Sequence, residues 1–191
     1  MCPRCFSLER HRIIWHFLVD NLDFINKKRR MLHIAPEQCF YYKFRKLGNL
    51  DYTTADLESP LADILMDITE IPFEDERFDF IMCNHVLEHV KDDRKAMSEL
   101  FRVLKKGGEA ILQVPLDYQR EFTYEDENVT SPEERKIKFW GRDHVRLYGR
   151  DYLKRLNKIG WKTEDKIMKF SEKKYGKQLL LKDYRIIYLR K

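Results

Sequence analysis

The sequence predicts an α/β fold with a doubly wound, mainly parallel sheet. Short apolar runs of strand length alternate along the chain with longer segments whose apolar residues recur at helical spacing. Such alternation is typical of strand–helix–strand units that pair in parallel. The chain has 191 residues, of which 43% are hydrophobic. It is therefore long enough to bury one core without a disulfide or a metal ion.

The first predicted element is a helix over residues 8–26. It belongs to an N-terminal helical extension, residues 1–30, that precedes the main domain at residues 31–191; together they are predicted to make effectively one domain. Apolar side chains at intervals of three and four predict one buried stripe on this helix. The stripe consists of Trp15, Leu18, Val19 and Leu22.

Seven segments are predicted to be strands because they are short, apolar and bounded by turn or charged residues. They cover residues 31–35, 51–55, 62–66, 78–83, 110–114, 161–170 and 184–189. A polar segment at residues 171–177 separates the last two.

Three further helices are predicted between the strands. They cover residues 37–47, a segment that starts at Asp92 or Asp93, and residues 150–159. Gly48 and Gly160 follow the first and the third as stop signals. Residues 105–108, Lys-Lys-Gly-Gly, are interpreted as the end of the middle helix, with cations near the last carbonyls and glycine for a left-handed exit. Its buried face is predicted to contain Met97, Leu100, Phe101 and Leu104.

Residues 116–149 have no clear periodicity and are predicted to be an irregular insert. Residues 124–134 within it are strongly acidic. A long irregular insert in a compact domain is usually either functional or disordered, so this segment is a candidate substrate lid.

Polar side chains follow several of the predicted strands directly. Asp56 follows the second strand, Asp67 the third and Asn84 the fourth. Ligands of such sheets bind outside the carboxyl ends of the strands. Since an ionised carboxylate accepts two hydrogen bonds, this set suits a ligand with ribose hydroxyls and an amino-bearing base. Each residue alone would more commonly be a turn or cap residue; their joint placement favours the ligand site.

Three motifs in order carry a resemblance to a known family. They are Asp67-Ile68-Thr69-Glu70-Ile71-Pro72-Phe73, Asn84-His85-Val86-Leu87-Glu88-His89-Val90, and Leu104-Lys105-Lys106-Gly107-Gly108 before a strand. Over residues 31–115 the chain resembles class I S-adenosylmethionine-dependent methyltransferases, most closely the methyltransferase type 11 group. The resemblance implies a Rossmann-like sheet of seven strands, with six parallel and the last antiparallel.

The resemblance also implies S-adenosyl-L-methionine as cofactor and S-adenosyl-L-homocysteine as product. It would put Asp56 at the ribose hydroxyls and Leu57 beside the adenine, with Asp67 at the adenine amino group and Ile68 packed on the base. Asn84 and His85 would face the methionine end, and His89 would lie in the following helix, near the methyl group. The implied cofactor-binding residues are His33, Ala35, Pro36, Glu37, Asp56, Leu57, Asp67, Ile68, Asn84 and His85.

One loop departs from the family pattern. The family's first strand ends in a glycine-rich loop after an acidic residue, whereas here His33 replaces the acid and Ala35, Glu37 and Cys39 occupy glycine positions. Pro36 also fixes φ and removes a donor. Either Glu37 turns inward and pairs with the cofactor's ammonium group, which we favour because Asp56, Asp67 and Asn84 are kept, or its side chain narrows the pocket.

No catalytic residue is assigned from the sequence, because methyl transfer depends mainly on alignment of nucleophile, methyl and sulfur. His85, His89 and His144 are candidate bases, although each could equally be a packed or surface histidine. Arginine and tyrosine side chains near the insert suit an anionic or aromatic acceptor, or else pair with nearby acids. The candidate acceptor-binding residues are His89, Tyr118, Arg142, His144 and Arg146.

Three function classes remain open at this point. The first is a methyltransferase with an unidentified acceptor. The second is a catalytically inactive, methyltransferase-like binding or scaffold domain with an altered cofactor loop. The third, a nicotinamide-dinucleotide enzyme, has the weakest support because no Gly-x-Gly-x-x-Gly follows a strand.

The charge distribution indicates which partners would suit the chain, and its apolar runs indicate its compartment. The formal net charge is +5, yet residues 51–132 carry 8 basic and 20 acidic side chains, so both ends are basic. The basic C-terminal third would suit nucleic acid, but nothing else in the sequence supports that partner. We expect a cytoplasmic protein with no membrane partner, because the best apolar run, residues 13–19, is interrupted by His16 and lacks a cleavage site.

Cys2 and Cys5 have the spacing of half a zinc knuckle. An unliganded, reduced pair is the favoured interpretation, so no metal is predicted. The alternatives are a zinc site completed by His11 and His16, or one completed by residues of a longer parent chain.

Overall fold

The computed structural model describes residues 1–169 and 183–191; the polar segment predicted at 171–177 lies outside them. Within these residues the chain forms nine strands and five helices. The strands are β1 (Arg29–Ile34), β2 (Leu50–Asp56), β3 (Ile64–Leu65), β4 (Phe78–Asn84), β5 (Leu104–Gln113), β6 (Tyr124–Glu125), β7 (Arg146–Leu147), β8 (Lys162–Lys169) and β9 (Asp183–Arg190). The helices are α1 (Glu9–Leu22), α2 (Gln38–Phe44), α3 (Asp93–Val103), α4 (Pro132–Phe139) and α5 (Tyr152–Ile159).

Seven strands form one sheet in the order β3-β2-β1-β4-β5-β9-β8. The first five pair in parallel, and β9 pairs antiparallel with both β5 and β8. Six strands therefore run in one direction and the last strand of the chain runs in the other, which confirms the predicted fold class. The chain order reverses between β1 and β4, where an open α/β sheet forms a crevice at its carboxyl edge.

Helices cover both faces of the sheet, and the alternation of side chains along each strand divides the core in two. Leu32 and Ile34 of β1 belong to the core under α3 and α5, whereas Met31 belongs to the core under α1 and α2. Both cores are apolar because every central strand is buried on its two faces.

Helix α1 is an integral layer of the fold. Half of the predicted buried stripe is confirmed, since Leu18 and Leu22 are buried. Trp15 and Val19 are only half-buried, and Ile14 and Phe17 are buried in their place. The helix lies on the sheet rather than at an edge, so its buried surface is wider than one stripe. Consequently the N-terminal segment predicted as an extension supplies much of one core.

Residues 105–108 are not the end of a helix. Helix α3 stops at Val103, and β5 begins at once with Leu104. The two glycines lie inside the strand, where Gly107 has a φ of 73° and the register with β4 shifts. The positive φ that the sequence indicated is real, but it marks an irregular strand rather than a helix exit.

The insert at residues 116–149 is ordered. Strands β6 and β7 pair antiparallel, and α4 packs Phe139 into a small third core with Val129 and Leu147. The prediction of an irregular segment is therefore wrong for about a third of its length. Among the described helices, none combines the length and the apolar character that crossing a membrane requires.

Candidate functional site

A cleft of about 400 Å³ opens at the carboxyl ends of β1, β2 and β3. Five of the predicted cofactor residues line it, together with the predicted acceptor residue His89. The five are Ala35, Asp56, Leu57, Asp67 and Ile68. The fold thus brings together residues that are up to 33 positions apart in the sequence, because parallel strands end at one edge.

The two carboxylates of the cleft are held by local turns. Asp56 accepts hydrogen bonds from the backbone N–H groups of Glu58 and Ser59 at 2.9 Å through Oδ1. Asp67 accepts from the backbone N–H and the hydroxyl of Thr69, and these bonds lower the pKa of Asp67. Both side chains are therefore fixed in place, and Asp67 is ionised at neutral pH.

Glu37 is held by two neighbours at the end of β1. His33, fully buried, contacts the hydroxyl of Tyr52 through Nδ1 and Glu37 Oε2 through Nε2, each at 2.7 Å. Asn84 Nδ2 donates to Glu37 Oε1 at 3.0 Å. Burial alone would raise the pKa of Glu37, but the bonds from His33 and Asn84 outweigh it and lower that pKa. A negative charge therefore lies close to where the family's acidic residue would be.

Asn84 keeps one polar atom without a partner. Its side chain is 4% exposed, and Oδ1 accepts no hydrogen bond. A buried, unpaired acceptor is costly in a folded protein, so its presence beside ionised Glu37 indicates a place for a donor group from a ligand. The other five predicted cofactor residues are close in sequence to residues of the cleft but do not line it themselves. They are His33, Pro36, Glu37, Asn84 and His85.

Both loops that border the site contain a left-handed residue. Ala35 after β1 has a φ of 48°, and His85 after β4 has a φ of 55°. This conformation is the one that glycine adopts without cost. The backbone of the first loop thus keeps the glycine-type geometry although the sequence has alanine there.

The predicted acceptor residues do not form one group. Tyr118 lines a different cleft and lies 4.5 Å from the guanidinium of Arg185. Arg142 pairs with Glu133 of α4 on the surface. Only His89 and His144 come together, with ring centroids 4.7 Å apart. His89 lies in the turn before α3 and not in a helix as expected.

Arg146 has a structural role that the sequence did not indicate. It is 4% exposed and donates to the carbonyls of Leu87 and Lys91 and to Glu125 Oε1. These bonds attach the insert to the turn before α3. Arg146 is therefore bound to protein partners and does not line the cofactor cleft, although it lines the larger cleft of about 710 Å³ beside the insert.

Sequence reasoning missed several residues of the site. Glu88, in the Leu-Glu-His segment after β4, is buried, and its carboxylate makes no hydrogen bond. Lys91 and Asp92 line both the cleft and a larger one of about 710 Å³ beside the insert. No spacing rule indicates these residues, because the turn that positions them is set by contacts with the insert.

The Cys2–Cys5 segment forms a turn in which Cys5 Sγ donates to Ser7 Oγ at 3.3 Å. His11 contacts other groups: its Nδ1 accepts from the backbone N–H of Leu8 and lies 3.1 Å from Cys39 Sγ. In the described part of the chain, only Glu88, His89 and His144 bring three potential metal ligands together. The arrangement thus gives no support to a zinc site made of Cys2, Cys5, His11 and His16.

Comparison with known proteins agrees with the fold of the sheet. A sequence model described as a methyltransferase domain matches residues 29–112. An uncharacterized protein of Methanocaldococcus jannaschii is 33% identical over 95 residues, and a tRNA U34 carboxymethyltransferase of Sulfurovum sp. is 29% identical over 86 residues. These matches cover 49% and 45% of this chain but only 43% and 27% of the relatives, so the chain spans less than half of each relative.

Solved structures share the fold of this chain. The [4+2]-cyclase SpnF has a TM-score of 0.67 at 14% identity, covering 95% of this chain and 82% of its own. A Burkholderia thailandensis 1,6-didemethyltoxoflavin N1-methyltransferase with bound S-adenosylhomocysteine has a TM-score of 0.64 at 13% identity, covering 97% and 79%. One fold therefore carries both a cyclase and a methyltransferase, so the reaction must be argued from the site.

Proposed function

We propose that the chain is an S-adenosyl-L-methionine-dependent methyltransferase whose cofactor lies in the cleft at the ends of β1, β2 and β3. Asp56 would bind the ribose hydroxyls and Asp67 the adenine amino group, with Leu57 and Ile68 on the base. Ala35 lines the same cleft. Two carboxylates held by turns at adjacent strand ends fit a ligand with a diol and an amino group.

The observation that carries the proposal is the unpartnered Asn84 Oδ1 beside ionised Glu37. An ammonium group donates hydrogen bonds and carries positive charge, so it satisfies both side chains at once. The amino acid end of the cofactor is such a group. His33 and the buried Pro36 would shape this end, and His85 would border it. Glu37 thus takes the role of the acidic residue that position 33 lacks.

The bound cofactor supplies a methyl group on a positively charged sulfur. The residues of this chain align that group with an acceptor and exclude water, and methyl transfer leaves S-adenosyl-L-homocysteine. We propose that the acceptor enters through the 710 Å³ cleft beside the insert, because Lys91 and Asp92 line both clefts. His89 lines the cofactor cleft, and its ring contacts that of His144. An anionic acceptor finds less support than the sequence indicated, since Arg142 and Arg146 are both paired.

We place the protein in the cytoplasm and treat residues 1–191 as one unit. Four thiols without a disulfide, Cys2, Cys5, Cys39 and Cys83, support a reducing compartment. The shared core of α1 with the sheet supports the single unit.

Calorimetric titration of the whole chain tests which cofactor it binds. We expect binding of S-adenosyl-L-methionine and S-adenosyl-L-homocysteine but not of NAD. Asp56→Ala is expected to weaken binding by about 1–3 kcal/mol, since it removes a charge-assisted hydrogen bond. Asp51→Ala, an exposed aspartate at the other end of the same strand, is the matched control and should bind as the wild type.

A second variant tests the role of Glu37. If Glu37 binds the ammonium group, Glu37→Gly cannot improve affinity; a clear gain would show that the side chain obstructs the pocket. Failure of a folded wild-type chain to bind either adenosyl compound would reject the proposed function and favour the inactive scaffold. Binding of NAD alone would favour a dinucleotide enzyme.

A further inference from the structure

Three side chains with metal-binding atoms converge beside the cleft. Glu88 and His89 lie in the turn between β4 and α3, and His144 comes from the insert just before β7. One potential ligand atom from each lies within 4.8 Å of the other two. The cofactor site described above does not use Glu88.

Glu88 lacks the partners that a buried carboxylate needs. Its side chain is 1% exposed, and neither Oε1 nor Oε2 takes part in a hydrogen bond. His85 Nδ1, 3.4 Å from Oε1, makes no hydrogen bond to it. A buried carboxylate with no hydrogen bond and a single imidazole at ion-pair distance is unfavourable, so these two oxygens indicate a place for a cation.

The two imidazoles are already oriented as metal ligands are. His89 Nδ1 lies 3.1 Å from Asp143 Oδ2, and His144 Nδ1 lies 2.7 Å from the carbonyl oxygen of Phe139. Since a carbonyl oxygen can only accept, His144 Nδ1 donates to Phe139, whereas His89 Nδ1 lies within ion-pair distance of Asp143 Oδ2. Nε2 of each ring is then the nitrogen left to face an ion. Metal-binding histidines commonly donate their other N–H to such acceptors.

The two segments that carry the ligands are fixed to each other. The backbone N–H of Val145 donates to the carbonyl of Glu88 at 2.9 Å, and Arg146 bonds the same turn. Gly141 packs directly against His144, because a Cβ at that position would overlap the imidazole. The ligands are thus held together before any ion arrives, which is what a preorganised site requires.

We propose that Glu88, His89 and His144 bind one divalent transition-metal ion. One carboxylate and two imidazoles suit Zn²⁺, Fe²⁺, Mn²⁺ or Co²⁺, whereas Ca²⁺ and Mg²⁺ prefer oxygen ligands throughout. Ligand atoms at about 2.1 Å from an ion lie roughly 3–3.5 Å apart, so small side-chain rotations complete the site. Three protein ligands leave coordination positions open for other donors.

The position of the ion indicates what it would do. His89 also lines the cofactor cleft, so the ion lies next to the methyl acceptor; this step rests on the proposed function. An acceptor that carries oxygen donors would bind the open positions and be held for transfer.

Metal titration of the whole chain tests the site without cofactor or acceptor. Cys2→Ser/Cys5→Ser protein, freed of metal with a chelator, is titrated with Co²⁺ by visible absorption and with Zn²⁺ by calorimetry. We expect one equivalent of each to bind. Glu88→Gln and His144→Ala are expected to lose at least about 100-fold in affinity, and Asp143→Asn about 10–100-fold. His16→Ala, a histidine of α1, is the matched control and should bind as the parent.

Gly141→Ala keeps all three ligands and is expected to weaken binding by displacing His144. Thermal unfolding of each variant shows whether it is folded; if Glu88→Gln unfolds, Gly141→Ala and Asp143→Asn decide. Absence of saturable 1:1 binding, or affinities unchanged in these two variants, overturns the proposal. S-adenosyl-L-homocysteine binding is measured separately, so loss of the metal site and failure of the proposed function give different results.

Discussion

Ala35 holds a backbone conformation that alanine disfavours. Its φ of 48° lies in the left-handed region, which costs an L-residue about 1–2 kcal/mol. The family resemblance points to a glycine at this position, and the structure supplies the physical reason: the chain must turn sharply from β1 into α2 at the edge of the cleft.

We therefore expect Ala35→Gly to stabilise the protein by about 1 kcal/mol, with part of the relieved strain offset by the greater freedom of glycine in the unfolded chain. Chemical denaturation measures the free energy of unfolding. Ala62→Gly, at a position without a positive φ, is the control and should destabilise by about 0.5 kcal/mol. If both variants lost the same free energy of unfolding, the backbone of Ala35 would not be strained.

His11 makes stability depend on pH. Burial lowers its pKa to about 4, although the charge of Glu37 opposes this. An unfolded histidine titrates near 6.5, so between pH 6.5 and 4 the unfolded chain binds more protons than the folded one. Stability is therefore lost as the pH falls through this window.

The size of this effect can be measured by difference. We expect acidification from pH 6.5 to 4 to cost the wild type at most about 3 kcal/mol more than it costs His11→Gln. Urea unfolding at several pH values gives both curves. Parallel curves for the two proteins would show that His11 does not carry the pH dependence.

At the scale of the element, the insert shows where periodicity fails. Ser131 caps α4 by accepting from the backbone N–H of Glu134, and Pro132 occupies the first turn. Ser-Pro-Glu-Glu is a recognisable helix start, so this helix could have been predicted. The pairing of β6 with β7 could not, since each strand has two residues.

Arg146 and Arg142 were indistinguishable in the sequence, yet the structure separates them. Arg146 is buried, and its Nε lies 3.7 Å from Asp93 Oδ2. Arg142 is exposed and pairs with Glu133. Arg146→Met is expected to destabilise the protein by about 3 kcal/mol because it leaves the carbonyls of Leu87 and Lys91 without their donor. Arg142→Met should change stability by less than about 0.5 kcal/mol.

Thermal and urea unfolding of the two variants check this pair. Similar losses would show that the guanidinium of Arg146 does not hold the insert to the turn before α3. Proteolysis within residues 116–149 gives a second measurement, since a released insert would be cleaved faster.

At the scale of the whole molecule, α1 closes one face of the sheet. Phe17 is fully buried and meets the ring of Tyr188 at a centroid distance of 5.6 Å. Since Tyr188 belongs to β9, this contact joins the two ends of the chain. The N-terminal segment is thus required for the sheet to be covered on both sides.

Phe17→Ala is accordingly expected to destabilise the protein by about 4 kcal/mol through the cavity it creates. Phe122→Ala, whose ring is 64% exposed, is the matched control and should lose less than about 0.5 kcal/mol. Denaturant titration of both variants gives the free energies of unfolding that test this prediction. A small loss for Phe17→Ala would mean that α1 contributes little to the core.

The sequence by itself determined the sheet. All seven strands of the main sheet, and the helices other than α4, follow from apolar runs and helical spacing, because those patterns reflect which faces are buried. It also determined that Asp56, Asp67 and Asn84 lie at one edge, since parallel strands align their carboxyl ends.

Tertiary structure alone decided which polar groups meet. Three features join segments far apart in the chain: the contact of Glu37 with Asn84, the burial of Arg146, and the convergence of Glu88 with His144. Local patterns report burial and turn geometry. The pairing of side chains depends on how the insert and the turn before α3 pack together, and no local pattern contains that information.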